Sequence, residues 1–255
     1  MGDRAGPVRV GIGGWDYEPW RGSFYPAGLP RAKQLEYAAR RVSAIEINAT
    51  FYKLQKPELF ARWKEAVPEG FRFAVKGSRF CSNRKELSGG GEAVARFCGQ
   101  GLTALGDKLG PILWQLTETK RFDPDELRAF FALLPREQDG AELRHALEVR
   151  HESFADPRLV EIAREAGVAI ALVDAPGMPR IEAPAERFAY ARLKGMREEE
   201  PQGYSPAELD RWAALARSWA DGGREVFMFM IDGAKLRAPA AAEALIARLG
   251  RPAGR

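Results

Sequence analysis

Apolar positions along this chain follow two alternating rhythms. Eight short runs rich in β-branched, aliphatic or aromatic residues occupy 8–13, 44–48, 71–76, 111–116, 145–150, 169–174, 188–194 and 225–232. Each gives way to a loop, most of them through a charged or amide residue. Between them lie segments with the 3.6-residue spacing of amphipathic helices, at 32–41, 58–66, 92–105, 124–134, 157–166, 206–220 and 239–249. Asp123 before Pro124, Asp156 before Pro157 and Ser205 before Pro206 are helix starts, with a capping side chain followed by proline in the first turn. Gly167 is a helix stop. The stretch Ala-Pro-Gly-Met-Pro-Arg-Ile-Glu-Ala-Pro-Ala at 175–185 is too rich in proline for a regular helix. Strands and helices alternating in this way predict an α/β fold, a TIM-like (β/α)8 barrel whose helix between strands six and seven is missing or degenerate.

Side chains on a strand alternate between its two faces, so parity sorts the polar residues. Ile45 and Ile47 suit the helix-covered outside of the barrel, which turns Glu46 and Asn48 inward. Glu148 pairs with Arg150 in the same sense, Leu172 shares a face with Asp174, and Tyr190 shares one with Arg192 and Lys194. Barrel active sites sit at the C-terminal strand ends. Here those ends carry Glu46, Asn48, Lys76, Gln115, Glu148, Arg150, Asp174, Arg192, Lys194 and Asp232. Glu46, Lys76, Glu148, Arg150, Asp174 and Arg192 are therefore expected to line one cavity. Without chemistry, the same groups would form a closing network of ion pairs.

Composition adjusts this picture only slightly. The 255 residues fit a single domain over 1–255, with no internal repeat and no linker. No apolar run approaches the roughly 20 residues needed to cross a bilayer. The polar start Met-Gly-Asp-Arg-Ala-Gly-Pro reads as no secretion signal, so the expectation is a cytoplasmic protein without a membrane partner. Cys81 and Cys98 form no disulfide framework. Lys and Arg total 39 against 35 Asp and Glu, a formal charge of +4 that is compatible with an anionic ligand.

Several chemistries lack their residues. There is no His-Glu-x-x-His, no cysteine cluster, and His145 and His151 are the only histidines. His145 opens its strand and so belongs to the opposite end of the barrel. A hard divalent ion on Glu46, Glu148 and Asp174 is the weaker alternative, because Lys76, Arg150 and Arg192 can neutralise those carboxylates instead. No nucleophile elbow and no glycine-rich phosphate loop is present, so no dinucleotide cofactor is expected. General acid–base work is better served. Glu46 and Glu148 could divide the two roles, with Asp174 orienting one of them. His151 is a further candidate for that work, as the residue type suited to proton transfer, or else simply caps a backbone group. In the loops, Trp15, Tyr17, Trp20, Phe24, Tyr25, Phe51, Tyr52 and Phe80 mingle with Arg21, Lys53, Arg79, Arg84 and Lys85. Such sets stack bases and neutralise phosphates, line a sugar pocket, or pack long loops over the barrel mouth.

Ordered motifs run through nearly the whole chain. They are Gly-Gly-Trp with Trp-Arg-Gly-Ser-Phe-Tyr-Pro, Glu-Ile-Asn-Ala-Thr-Phe-Tyr, Phe-Arg-Phe-Ala-Val-Lys and Arg-Phe-Cys-Ser-Asn-Arg-Lys-Glu-Leu, followed by Leu-Gly-Pro-Ile-Leu-Trp-Gln-Leu, Leu-Glu-Val-Arg-His, Ala-Leu-Val-Asp, Tyr-Ala-Arg-Leu-Lys-Gly and Tyr-Ser-Pro-Ala-Glu-Leu. With them the chain resembles the YecE-like family, domain of unknown function 72. The resemblance implies a barrel of the TIM type but names no reaction. It marks Trp15, Trp20, Arg21, Tyr25, Glu46, Asn48, Thr50, Phe51, Tyr52, Lys76, Gln115, Glu148, Arg150, His151, Asp174 and Arg192 as family-typical. Two stretches depart from the family pattern. Arg192-Leu193-Lys194-Gly195 stands where members usually show Arg-Leu-His-Gly, and Met228-Phe229-Met230-Ile231-Asp232 where Tyr-Phe-Asn-Asn-Asp is common. These departures imply an altered ligand preference or an altered activity.

The expected function is hydrolysis of a phosphate ester in a nucleic acid or nucleotide. Glu46, Glu148, Asp174 and His151 would be the catalytic groups. The ligand would be held by Trp15, Trp20, Arg21, Tyr25, Asn48, Tyr52, Lys76, Arg79, Arg84, Gln115, Arg150, Arg192 and Lys194, with no metal. A non-catalytic nucleotide or nucleic-acid binder, and a sugar-directed isomerase or lyase, are the alternatives.

Overall fold

The computed structural model describes residues 5–250. Nine parallel strand segments are hydrogen-bonded in one sheet: β1 Val8–Gly13, β2 Ala44–Ile47, β3 Arg72–Lys76, β4 Leu109–Gln115, β5 His145–Glu148, β6 Ala169–Ile170, β7 Leu172–Asp174, β8 Phe188–Leu193 and β9 Glu225–Met230. Their order is β6-β5-β4-β3-β2-β1-β9-β8-β7. The two segments at the ends of that order are halves of one run, broken only at Ala171. β6 bonds to β5 and β7 bonds to β8, so the sheet closes on itself. The TIM-like (β/α)8 barrel follows, with eight strands once the halves are joined. The helices are α1 Gln34–Ala39, α2 Ala49–Tyr52, α3 Pro57–Glu65, α4 Arg79–Ser82, α5 Gly91–Cys98, α6 Pro124–Ala132, α7 Pro157–Ala166, α8 Pro206–Ala220 and α9 Ala238–Arg248.

The starts read from sequence are in place. Asp123 accepts the backbone N–H groups of Asp125 and Glu126, Asp156 accepts that of Arg158, and Ser205 forms a reciprocal box with Glu208. No helix occupies the proline-rich stretch after β7. The chain returns extended there, and the Ala183 carbonyl accepts the N–H of Ile170. One expected helix is shorter than its pattern suggested. The segment 92–105 breaks after Cys98, because Gly101 takes a φ of 93° with Pro57 packed where a side chain would stand.

Parity sorts the core into two layers. Ile45, Ile47, Phe73, Val75, Ile112, Trp114, Leu147, Met228 and Met230 face the helices. Inside the barrel one half is lined by Ala44, Ala74, Ala146, Ala169 and Ala171, while Phe188, Tyr190, Phe227 and Phe229 fill the other. Small and large residues interdigitate in this way to fill a bore that no ring of equal side chains would fit.

The N-terminal end of the bore is closed by one carboxylate and three guanidinium groups. Glu225 takes Arg144 at 2.7 Å and Arg9 at 3.0 Å, with Arg72 at 3.8 Å. The Arg144 guanidinium lies over the rings of Phe227 and Phe188, 5.3 and 5.6 Å from their centres. His145 is also at this end, on the outer face. Its Nδ1 accepts the indole N–H of Trp114, and its Nε2 lies 2.7 Å from the Pro135 carbonyl.

A cationic mouth at the C-terminal face

Three strands that are not neighbours meet at the opposite end of the bore. Arg192 on β8 reaches Glu46 on β2 with Nε at 3.1 Å and a terminal nitrogen at 2.9 Å, and it also bonds to Glu148 on β5. The Tyr190 hydroxyl, one strand step below, donates to Glu46 at 2.8 Å. Glu148 further accepts Lys194 Nζ and Arg150 Nε, each at 2.9 Å. Glu46 and Glu148 are fully buried, and Arg192 is 1% exposed. Parity had turned these residues inward, and they do converge.

The electrostatics follow from burial and neighbours. Burial alone would raise the Glu148 carboxyl, but Arg192, Lys194 and Arg150 outweigh it and hold the group far below its ordinary range. Burial lowers Arg192, and the two glutamates more than reverse that, so it stays charged. Burial also raises the Tyr190 phenol, and Glu46 adds to the effect.

Lys76, at the end of β3, differs from the other cations. Its Nζ sits 4.2 Å from the centre of the Phe51 ring. Among the described residues it makes no hydrogen bond or ion pair. Burial and then the charge of Arg192 push it down to about 8, despite Glu46, Glu148 and Asp232 acting in the other direction. The Thr50 hydroxyl fixes the strand end by donating to the Lys76 carbonyl at 2.7 Å. On the next strand Gln115 is in register with Glu148. Its side-chain oxygen is buried with no hydrogen-bond partner among the described residues.

Other expected site residues lie elsewhere. Asp174 is in register with Leu193, which faces the helices, so its carboxylate points out of the bore. There it accepts the Tyr204 hydroxyl at 2.7 Å and cannot orient Glu46 or Glu148. His151 caps a short turn, its Nδ1 accepting the backbone N–H of Ser153 at 3.1 Å. Trp20 and Tyr25 are buried core residues rather than platforms. The Trp20 indole donates to the Lys235 carbonyl, and the Tyr25 hydroxyl to that of Trp15. Trp15 packs edge-on against Trp63. Arg21 pairs with exposed Glu18 at 3.3 Å. Asn48 starts α2, its amide nitrogen 3.4 Å from the Glu46 carbonyl. Tyr52 and Phe80 are exposed, with Arg79 beside the latter at 5.3 Å. Arg84 lines a separate groove of about 620 Å³ with Asn83, Lys85, Thr117, Lys120 and Arg121. Tyr190 was missing from the expected set, although its parity with Arg192 pointed to it.

Arg192, Lys194, Arg150 and Tyr190 already engage the oxygens of Glu46 and Glu148, and Asp174 lies apart. Among the described residues no three His, Cys, Asp or Glu side chains converge to hold an ion. No helix there is long and apolar enough to cross a membrane.

Comparison with known proteins agrees with this architecture. The YecE protein of Escherichia coli K12 is 30% identical over 147 residues, which is 58% of this chain and 50% of that protein. The chain thus aligns with about half the length of that relative. A DUF72 family protein from Thermotoga maritima MSB8 superposes with a TM-score of 0.73 at 23% identity, covering 94% of this chain and 96% of the other. A D-psicose 3-epimerase from Clostridium cellulolyticum H10, solved with D-tagatose, shares the fold at a TM-score of 0.54 and 13% identity, over 95% and 97% of the two chains. The family described as protein of unknown function DUF72 matches residues 9–255, and with nearly the whole barrel matched, the chain belongs to that family.

Proposed function

We propose that the protein binds a small anionic molecule, with a phosphate group as its charged end, in the mouth of the barrel. The imbalance of charge there carries this reading. Lys76, Arg150, Arg192 and Lys194 gather around only two buried carboxylates, and the rim carboxylates Glu118 and Asp232 are largely exposed. Surplus positive charge is screened weakly where water is excluded, so an entering anion relieves it. Arg150, with its side chain 19% exposed, is the guanidinium placed to meet that anion.

Acid–base catalysis divided between Glu46 and Glu148 fits this geometry poorly. Glu148 is held ionised by three cations, and both oxygens of Glu46 are occupied by Arg192, with Tyr190 on one of them. Hydrolysis of a phosphate ester would instead draw its proton from Lys76, which burial brings down to about 8. The basic groove around Arg84 favours a second reading, in which the phosphate belongs to a nucleotide or a nucleic-acid strand, bound with or without chemistry. A sugar isomerase or lyase has only the shared barrel behind it, and fold does not choose a reaction.

Isothermal titration with ribose 5-phosphate and with ribose tests the reading. The phosphorylated sugar should bind and the neutral one should not. Arg150→Gln should weaken binding by about 10- to 100-fold, the worth of one hydrogen bond to a charged group. Equal affinity for the two sugars would refute it. If the second reading holds, oligonucleotide affinity should fall steeply with salt, and Arg84→Ala should flatten that slope by about one unit per lost phosphate contact.

A further inference from the structure

Among the described residues, two groups at the mouth are left over once their contacts are assigned. Arg192, Lys194 and Arg150 each have a carboxylate. The Lys76 amine has only a ring face beneath it, and the Gln115 oxygen has no donor. Gln115 lies two residues beyond Leu113, the register partner of Lys76, and so on the same inner face of the adjacent strand. Lys194 is also lowered by burial, but its Nζ is engaged by Glu148, whereas the Lys76 Nζ has no such partner among the described residues.

We propose that Lys76 is a nucleophile that forms an imine with a phosphorylated aldehyde or ketone seated in the mouth. The inference rests on the anion-binding reading above and adds to it the identity of the reactive carbon. The Nζ lone pair attacks the carbonyl carbon, the C=O π pair moves onto oxygen, and the proton released by the nitrogen passes to that oxygen, giving a carbinolamine. A second proton on that oxygen lets it leave as water while the nitrogen lone pair closes the C=N bond. Amine, carbonyl and one proton thus give a protonated imine and one water, with no change of oxidation state. The surplus cations hold the phosphate. The unpartnered Gln115 oxygen is positioned to accept the carbinolamine hydroxyl. Because the protonated imine is still a cation, its contact with the Phe51 ring survives the reaction.

The surroundings supply the free amine. Arg192 from β8 disfavours the charged form, Glu46, Glu148 and Asp232 favour it, and burial outweighs them, so that the amine titrates at about 8. At pH 7.5 its unprotonated fraction exceeds that of an ordinary exposed lysine side chain by on the order of 10²-fold.

The whole chain is incubated with dihydroxyacetone phosphate and reduced with sodium cyanoborohydride, and adducts are located by peptide mass mapping. Parallel samples contain pyruvate, an anionic ketone without phosphate. Binding of inorganic phosphate is measured separately by calorimetry. The expected result is one adduct at Lys76, formed at least tenfold faster than at Lys53, rising with pH around 8 and suppressed by inorganic phosphate. The mapping uses the unaltered protein, so it does not depend on a variant folding. Lys76→Arg should remove that adduct alone. Phosphate binding with no preference for Lys76 would overturn the imine and leave the anion site standing. Absence of both would overturn the two together. Labelling by pyruvate at an equal rate would overturn the assignment of phosphate as the anchoring group.

Discussion

Both ends of the barrel's bore are closed by ionic clusters, and the two differ in what they leave unmatched. At the N-terminal end a single carboxylate, Glu225, collects Arg9, Arg72 and Arg144, all of them partly open to water. Each guanidinium there has its carboxylate, and Arg144 also rests on two rings. That cluster is a stopper. At the C-terminal end two carboxylates are wholly buried and share Arg192, yet an amine and an amide oxygen beside them remain without partners. Burial without satisfaction costs stability, and the N-terminal stopper has no counterpart to that cost among its described ion pairs.

The difference can be broken most severely at Arg192. Arg192→Met leaves two buried carboxylates facing each other with less compensation, and should destabilise the fold by about 3–5 kcal/mol, read from urea unfolding. Acid should separate the two ends next. His145 is kept neutral by burial and titrates at about 4 instead of 6.5, although its bond to Pro135 works the other way. The unfolded chain therefore binds the extra proton first, and stability should fall as pH drops from 6.5 to 4, by up to about 3 kcal/mol. His145→Gln should flatten that arm. Glu148 behaves differently, because its carboxyl is held far below its ordinary 4.5. Its contribution is complete above that value and is lost progressively as pH falls below it. A third test compares the stoppers directly: Glu225→Gln should cost about 1–2 kcal/mol, less than a buried hydrogen bond to charge because water reaches the arginines. The smallest effect is the most telling. Lys76→Met should change unfolding free energy by less than about 1 kcal/mol, since only the ring contact with Phe51 is lost, while abolishing covalent capture of phosphorylated carbonyl compounds. A loss as large as that at Arg192 would show Lys76 to be part of the structural network.

Much of this arrangement was legible in the residue pattern, because a strand repeats every two residues and a barrel has only an inside and an outside. Glu46, Glu148, Arg192 and Lys194 were placed by that rule alone. Asp174 was misplaced through incomplete use of the same rule. The inward alanines, Ala169 and Ala171, alternate with Ile170 and Leu172, and continuing the count turns Asp174 outward. The aromatic loops were harder. Trp20 and Tyr25 sit in irregular segments with no periodicity, so nothing local separates a stacking platform from a residue tucked beneath a loop. Ion pairing across the bore is also invisible in the sequence. Parity says that Glu148 and Lys194 face inward, but only the staggering of strands decides that they touch.

The break at Ala171 gives the barrel wall a seam. Here Ile170 spends its N–H on Ala183 and Ala171 returns to Leu147, while the stretch that follows carries no helix to cover it. Opening costs least where backbone bonds are few and packing is thin. Amide hydrogens over 169–174 should accordingly exchange with deuterium before those of β1 or β9. Breathing of the cylinder would begin along this line, on the side away from Gly11, whose closeness to the Ala44 carbonyl leaves no room for even a methyl group.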